Sequence, residues 1–235
     1  MQYPIPTQNA IHEMLHMQNT LNEMTNGIHW RSGVTQLGKV IDWKRCIVME
    51  SAELIDSYPW KHWKSVDAVT DIENVRVELV DIWHFLLSLA LEQFELSKAV
   101  NLLDKALVLS HVASNTISRG MTVIQQVAVH ETMMRIALEA ADATEEYLLR
   151  LAESFFKACK VADLSFDQMY QIYMAKNVLN KFRQDHGYKE GSYIKEWNGK
   201  EDNIVMFEIM ATMTNFSGDE LYAGLKESYR LISRS

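Results

Sequence analysis

The chain has 235 residues, 48% of them hydrophobic and 23% charged, which is the composition of a folded globular protein with material for a sizeable core. Its formal net charge of −8 argues against a general nucleic-acid binder, which would carry a basic field. An acidic chain can hold a phosphate ligand only through a bound cation or a local cluster of Lys and Arg.

In chain order, apolar spacing at Ile11, Met14, Leu15, Leu21 and Met24 predicts an amphipathic helix over about 8–26. The leading residues MQYPIPTQNA lack the basic and apolar regions of a signal peptide. A loop over 27–39, a helix over 42–57 and a second loop over 59–69 follow. The stripe Ile72, Val75, Leu79, Ile82, Phe85, Leu86 and Leu89 predicts a helix over 71–95, opened by a capping box of Thr70 with Glu73. Its apolar run, Ile82–Leu91, is too short to span a bilayer, so no membrane partner is expected. Further helices are predicted over 98–115, over 121–159 (long enough to be two), and over 165–185, 202–213 and 218–231. Between Val66 and His186 there is no proline and a single glycine, Gly120, so helix is the main content. The principal loop, 187–200, holds Gly187, Gly191 and Gly199 interleaved with lysines and tyrosines. Cys46 and Cys159 stand far apart and read as reduced thiols, which points to a cytoplasmic protein. No repeat or linker divides the sequence, and the expected architecture is one all-α domain over 1–235.

Two acidic pairs interrupt apolar helices: Glu50 with Glu53 in IVMESAELI, and Glu78 with Asp81 in VRVELVDIW. Residues three apart share a helix face, about 5–6 Å between Cβ atoms. Converging carboxylates repel by about 4 kcal/mol per pair at 4 Å and an effective dielectric near 20, so protons or metal ions must neutralise them. An all-oxygen donor set suits Mg²⁺, and two or more such ions would bridge phosphates and acidify a water. The plainer alternative is that both pairs face solvent.

The pattern ExxE followed by ExxD resembles the helical nucleoside-triphosphate pyrophosphatase superfamily that includes the MazG proteins and the dimeric dUTPases. SYPWKHWK at 57–64 and KNVLNKFRQDHGYKEGSYIKEWNGKEDN at 176–203 are similar to signatures of the dimeric dUTPases. The resemblance covers 14–95 and 165–205. It implies an all-α NTP pyrophosphatase fold and a homodimer. The implied reaction is Mg²⁺-dependent hydrolysis of dUTP, and of dUDP, to dUMP. Glu50, Glu53, Glu78 and Asp81 would hold the metal, water would attack the β-phosphorus, and Glu50 would orient or deprotonate it. Gln18 and Asn22 would read the base, whose donor and acceptor edge an amide can match. Trp60 and Trp63 would wall off the base and sugar, and Lys61 would meet a phosphate. Lys176, Asn180 and Arg183, spaced along one helix face, would join Tyr188, Lys195 and Asn203 around the phosphates, the whole segment closing over the nucleotide. Within these motifs Lys189 and His62 receive no role.

Four other readings compete. His12-Glu13-Met14-Leu15-His16 spells the HExxH motif of zinc proteases, without preceding strands or a third ligand. Asp81-x-x-His84 suggests a di-iron bundle, but only one helix offers such a pair. A related pyrophosphatase acting on another nucleotide is the nearest competitor; a non-enzymatic interaction protein leaves the 176–203 constellation unexplained.

Overall fold

The computed structural model describes residues 7–63, 65, 67–112, 120–139 and 144–232. Among them are nine α-helices: α1 (Thr7–Asn26), α2 (Trp43–Asp56), α3 (Ile72–Gln93), α4 (Leu96–Val112), α5 (Val123–Ala137), α6 (Glu145–Val161), α7 (Phe166–Asp185), α8 (Asp202–Ala211) and α9 (Gly218–Arg230). The fold is all-α, as expected, and the long stretch after Gly120 is two helices. The predicted end of the fourth helix, at 113–115, and the centre of the break between α5 and α6, at 140–143, lie outside the described residues.

Local signals fix the helix ends. Asp42, Thr144 and Ser217 each accept a first-turn backbone N–H at α2, α6 and α9. Thr122 with Gln125, and Ser165 with Gln168, form reciprocal capping boxes at α5 and α7. α3 departs from expectation by one residue. Its cap is Asp71, whose carboxylate accepts from Asn74 N at 3.1 Å, in place of the Thr70–Glu73 box. A carboxylate beside the positive end of the helix dipole outcompetes the neighbouring hydroxyl. Gly27 ends α1 with φ +96°, a left-handed conformation that an L side chain resists.

The loop expected over 187–200 contains a small hairpin, β1 (Glu196–Trp197) paired antiparallel with β2 (Lys200–Glu201). Asn198 and Gly199 take φ +50° and +83° at its tip, the positive pair that a tight type I′ turn requires.

α3 is the central helix, packed against α1, α2, α6 and α7 and buried from Val75 to Leu91 except on one partly open stripe. Around it α1 meets α4 and α7, and α5 meets α2 and α6. Buried apolar side chains form two clusters. The larger runs from Ile11 to Tyr173; the smaller comprises Ala175, Leu179, Phe182, Trp197, Met206, Leu221 and Leu225. α7 belongs to both, its first half in the large core and its second half in the small one. The open stripe of α3 therefore faces the place where α7 passes from one core to the other.

Candidate active site

Helical spacing lines up Asn74, Glu78, Asp81, His84 and Ser88 along one face of α3. From Glu78 to Ser88 the rise is about 15 Å, enough to separate an acidic end from an amide-lined end of one site. This face forms the floor of a cavity of about 720 Å³, walled by α1, α2, α7 and the 188–203 segment. Gln18, Asn22, Glu50, Glu53, Glu78, Asp81, Lys176, Asn180, Arg183, Tyr188, Lys195 and Asn203 all line it.

At the acidic end, one oxygen each from Glu50, Glu78 and Asp81 lie within 4.8 Å of one another. Among the described residues no other three metal-ligating side chains converge so closely. Glu78 is buried and Glu50 half-buried, while Glu53 is exposed at the rim. Burial first, then the charges of Asp81 and Glu50, push the Glu78 carboxyl up to about 8. Burial, Asp81 and Glu53 likewise raise Glu50. Without a cation the cluster thus retains a proton between Glu50 and Glu78 near neutral pH. Asn74 Nδ2 donates to Glu78 Oε1 at 3.3 Å and to Ser57 Oγ at 2.8 Å, tying the carboxyl to the end of α2. A compact set of carboxylate oxygens that cannot all ionise together fits a hard divalent ion.

At the other end an amide network is nearly saturated. Gln18 Nε2 donates to Asn22 Oδ1 at 3.1 Å and to Ser88 Oγ at 3.0 Å. Asn22 Nδ2 donates to the same hydroxyl at 2.9 Å, and Ser88 Oγ donates to His84 O at 2.8 Å. His84 Nδ1 lies 2.7 Å from Gln18 Oε1. His84 is fully enclosed and stacks on Tyr173 at 4.4 Å; burial, against the pull of Asp81, holds its pKa down to about 3. The ring is therefore neutral. Because Gln18 presents an acceptor, Nδ1 carries the proton, leaving Nε2 as a buried acceptor without a partner among the described residues. Gln18 has spent both of its donors; Asn22 keeps one N–H and a lone pair.

Cations arrive from α7 and beyond. Lys176, only 2% exposed, donates to Asp81 Oδ2 at 2.8 Å and to Asn203 Oδ1 at 3.1 Å. Lys195 and Tyr188 reach the cavity from the 188–203 segment, and Lys189 ties that segment to α1 by donating to Thr25 O at 3.0 Å.

Comparison with known families decides the assignment: the dUTPase family model matches residues 10–188. The chain belongs to the dUTPase family. It is an enzyme, and its activity is the hydrolysis of dUTP. A search of curated proteins finds no match. The matched span contains all four acids and the amides; the strap from Lys189 to Asn203, which carries Lys195 and Asn203, lies beyond it.

Within this dUTPase chain Trp60, Lys61 and Trp63 stand apart from the cavity. Trp60 and Trp63 are exposed and meet edge to face at 6.1 Å, and Lys61 pairs with Asp56. The HExxH residues His12, Glu13 and His16 are all exposed on α1, where Glu13 accepts the Tyr170 hydroxyl at 2.7 Å. His84 turns to the amides, leaving the acids without the imidazole that a di-iron site wants. Sequence reasoning missed Asn74, Ser88, Tyr173 and Asp202. Asn74 and Ser88 continue the Glu78–Asp81 stripe at helical spacing, so extending that stripe a turn each way would have found them. Tyr173 lies one turn before Lys176 on the α7 stripe of Lys176, Asn180 and Arg183, so the same extension would have found it; Asp202 carries no such signal, and only the packing of α8 against α7 brings it in.

Proposed function

We propose that this family member cleaves dUTP to dUMP and pyrophosphate, and dUDP to dUMP and phosphate, with Mg²⁺ held by Glu50, Glu53, Glu78 and Asp81. The convergence of Glu50, Glu78 and Asp81 beside the Lys176 ammonium carries this reading. Bound there, a hard divalent cation supplies positive charge to the phosphate oxygens and acidifies a water. Glu50, half-buried in the carboxylate cluster, accepts the proton of the attacking water. The water oxygen bonds to the β-phosphorus, the bridging oxygen leaves with dUMP, and the new oxygen ends in pyrophosphate. Attack at that atom serves dUDP equally, since both substrates carry it. Hydrolysis in ¹⁸O-water should place the label in pyrophosphate; label in dUMP would overturn the assignment.

Asn22 reads the uracil through its unused N–H and lone pair, with Gln18 and Ser88 fixing its angle. His84 Nε2, an acceptor, suits a hydroxyl or imide N–H of the nucleoside. Lys176 and Lys195 supply charge to the phosphates, with Asn180, Tyr188 and Asn203 around them. The reading extends to a single domain and a homodimer, which the exposed apolar side chains of Met49, Trp60, Trp63 and Val69 suit. Trp60, Lys61 and Trp63 then act at the dimer interface and, through it, on the substrate. Sedimentation of the purified protein as a monomer at micromolar concentration would exclude the dimer.

Replacing Asp81 or Glu53 by Ala should abolish turnover while the helical circular dichroism is kept. Turnover on a panel of dUTP, dTTP, dCTP and UTP tests the base assignment. Equal rates on all four would remove it and favour a pyrophosphatase of broader range.

A further inference from the structure

Arg183 has the chemistry of a phosphate fork, but three of its five N–H groups are already engaged. Nε donates to Asp202 Oδ2 at 2.8 Å, Nη2 to Asp202 Oδ1 at 2.7 Å, and Nη1 to Asn180 Oδ1 at 3.2 Å. Asp202 is 0% exposed and also accepts the Tyr193 hydroxyl at 2.7 Å. Should Arg183 swing toward a phosphate, it would strand a buried, charged carboxylate, the costly outcome for a buried pair. Asp202 is, moreover, the first residue of α8. Its N–H donates to Lys195 O at 3.0 Å, and its neighbour Asn203 accepts the Lys176 ammonium. One carboxylate thus fixes the height of Lys195, Asn203 and Lys176 above the cavity.

The geometry points to Asp202 as a positioning residue that seats the 188–203 strap on α7 before nucleotide arrives, with Arg183 holding it there through two of its N–H groups. This rests on the proposed nucleotide site but concerns how the strap is held, whichever nucleotide binds. The strap is anchored on both sides of the cavity, by Arg183–Asp202–Tyr193 on α7 and by Lys189 at the carboxyl end of α1. Of these two anchors, the α7 one is buried and the Lys189 one is exposed. Opening therefore starts at Lys189, with Asp202 as the fixed end.

The test uses the full chain with Asp202→Asn, Arg183→Lys, Arg183→Met and the double variant Arg183→Met/Asp202→Asn. Amide exchange without metal or nucleotide should speed up across 188–201 in Asp202→Asn and Arg183→Lys, with α2 and α3 unchanged. KM for dUTP should rise by about tenfold, the value of one well-placed hydrogen bond, while kcat changes much less. The double variant should resemble either single variant, because both remove one device. Strictly additive losses, with exchange over 188–201 unaltered in Arg183→Met, would show that the Arg183–Asp202 pair does not seat the strap and overturn the proposal. If Asp202→Asn fails to fold, Arg183→Lys, which keeps the charge but loses the fork, decides the matter by the same two readouts. Absence of dUTP turnover in the unmutated protein would count against the proposed function, whereas the exchange result would stand or fall by itself.

Discussion

Glu78 has a carboxyl that titrates near 4.5 when exposed and is pushed up to about 8 here, by burial and then by Asp81 and Glu50. Between those values the folded chain holds a proton that the unfolded chain has lost. Its contribution to stability is therefore complete below about 4.5 and lost as pH rises through about 8. In chelator the thermal midpoint should fall across that window, and Glu78→Gln, which cannot ionise, should show a flatter profile. Parallel profiles for the two proteins would mean that Glu78 keeps no proton. At this scale the sequence was readable where a residue announces itself by helical spacing. Both acidic pairs, and the amides Gln18 and Asn22, line one cavity. Spacing says nothing about which valences are already used. Gln18 donates both of its hydrogens inside the protein, and Arg183 spends its fork on Asp202. Only the folded chain reveals that bookkeeping.

At the scale of elements, helices were legible because their signals are local: apolar stripes, few breakers, Ser, Thr and Asp caps. The hairpin at 196–201 carried a local signal too, Asn198-Gly199 between Trp197 and Lys200, the dipeptide that favours a type I′ turn. Its strands are only two residues each, which left it hidden within a loop. Gly187, where α7 gives way to the strap, is a sharper case. It takes φ +86°, a Cβ there would collide with Ser192 Oγ, and its carbonyl accepts from Ser192 N at 3.0 Å and Tyr193 N at 3.2 Å. Gly187→Ala should cost about 1–2 kcal/mol from the left-handed backbone, plus the displacement of Ser192. Gly191 has φ +73° but open space around a Cβ, so Gly191→Ala carries the backbone cost alone. Urea denaturation should rank Gly187→Ala as the more damaging of the two. Equal losses would mean that the turn relaxes freely, and that the strap is not set by its start.

For the whole molecule, the division into two apolar clusters bridged by α7 was the least legible feature. Periodicity identifies the face a helix buries, not the neighbour that covers it. The consequence is a division of labour. Glu50, Glu78 and Asp81 stand on α2 and α3 in the large core, whereas Lys195 and Asn203 are carried by elements packed on the small one. Phe182 is the centre of the small core. It is fully buried, with His186 at 3.9 Å, Tyr222 at 5.3 Å, Tyr229 at 5.5 Å and Trp197 at 5.8 Å between ring centroids. Phe182→Ala should cost about 3–5 kcal/mol, concentrated in α8, α9 and the strap. Because no acidic ligand rests on that cluster, Mg²⁺ binding measured by calorimetry without nucleotide should survive while nucleotide affinity collapses. The reverse order of loss, or equal loss of both, would show that the two cores act as one unit and that the acidic floor depends on the strap above it.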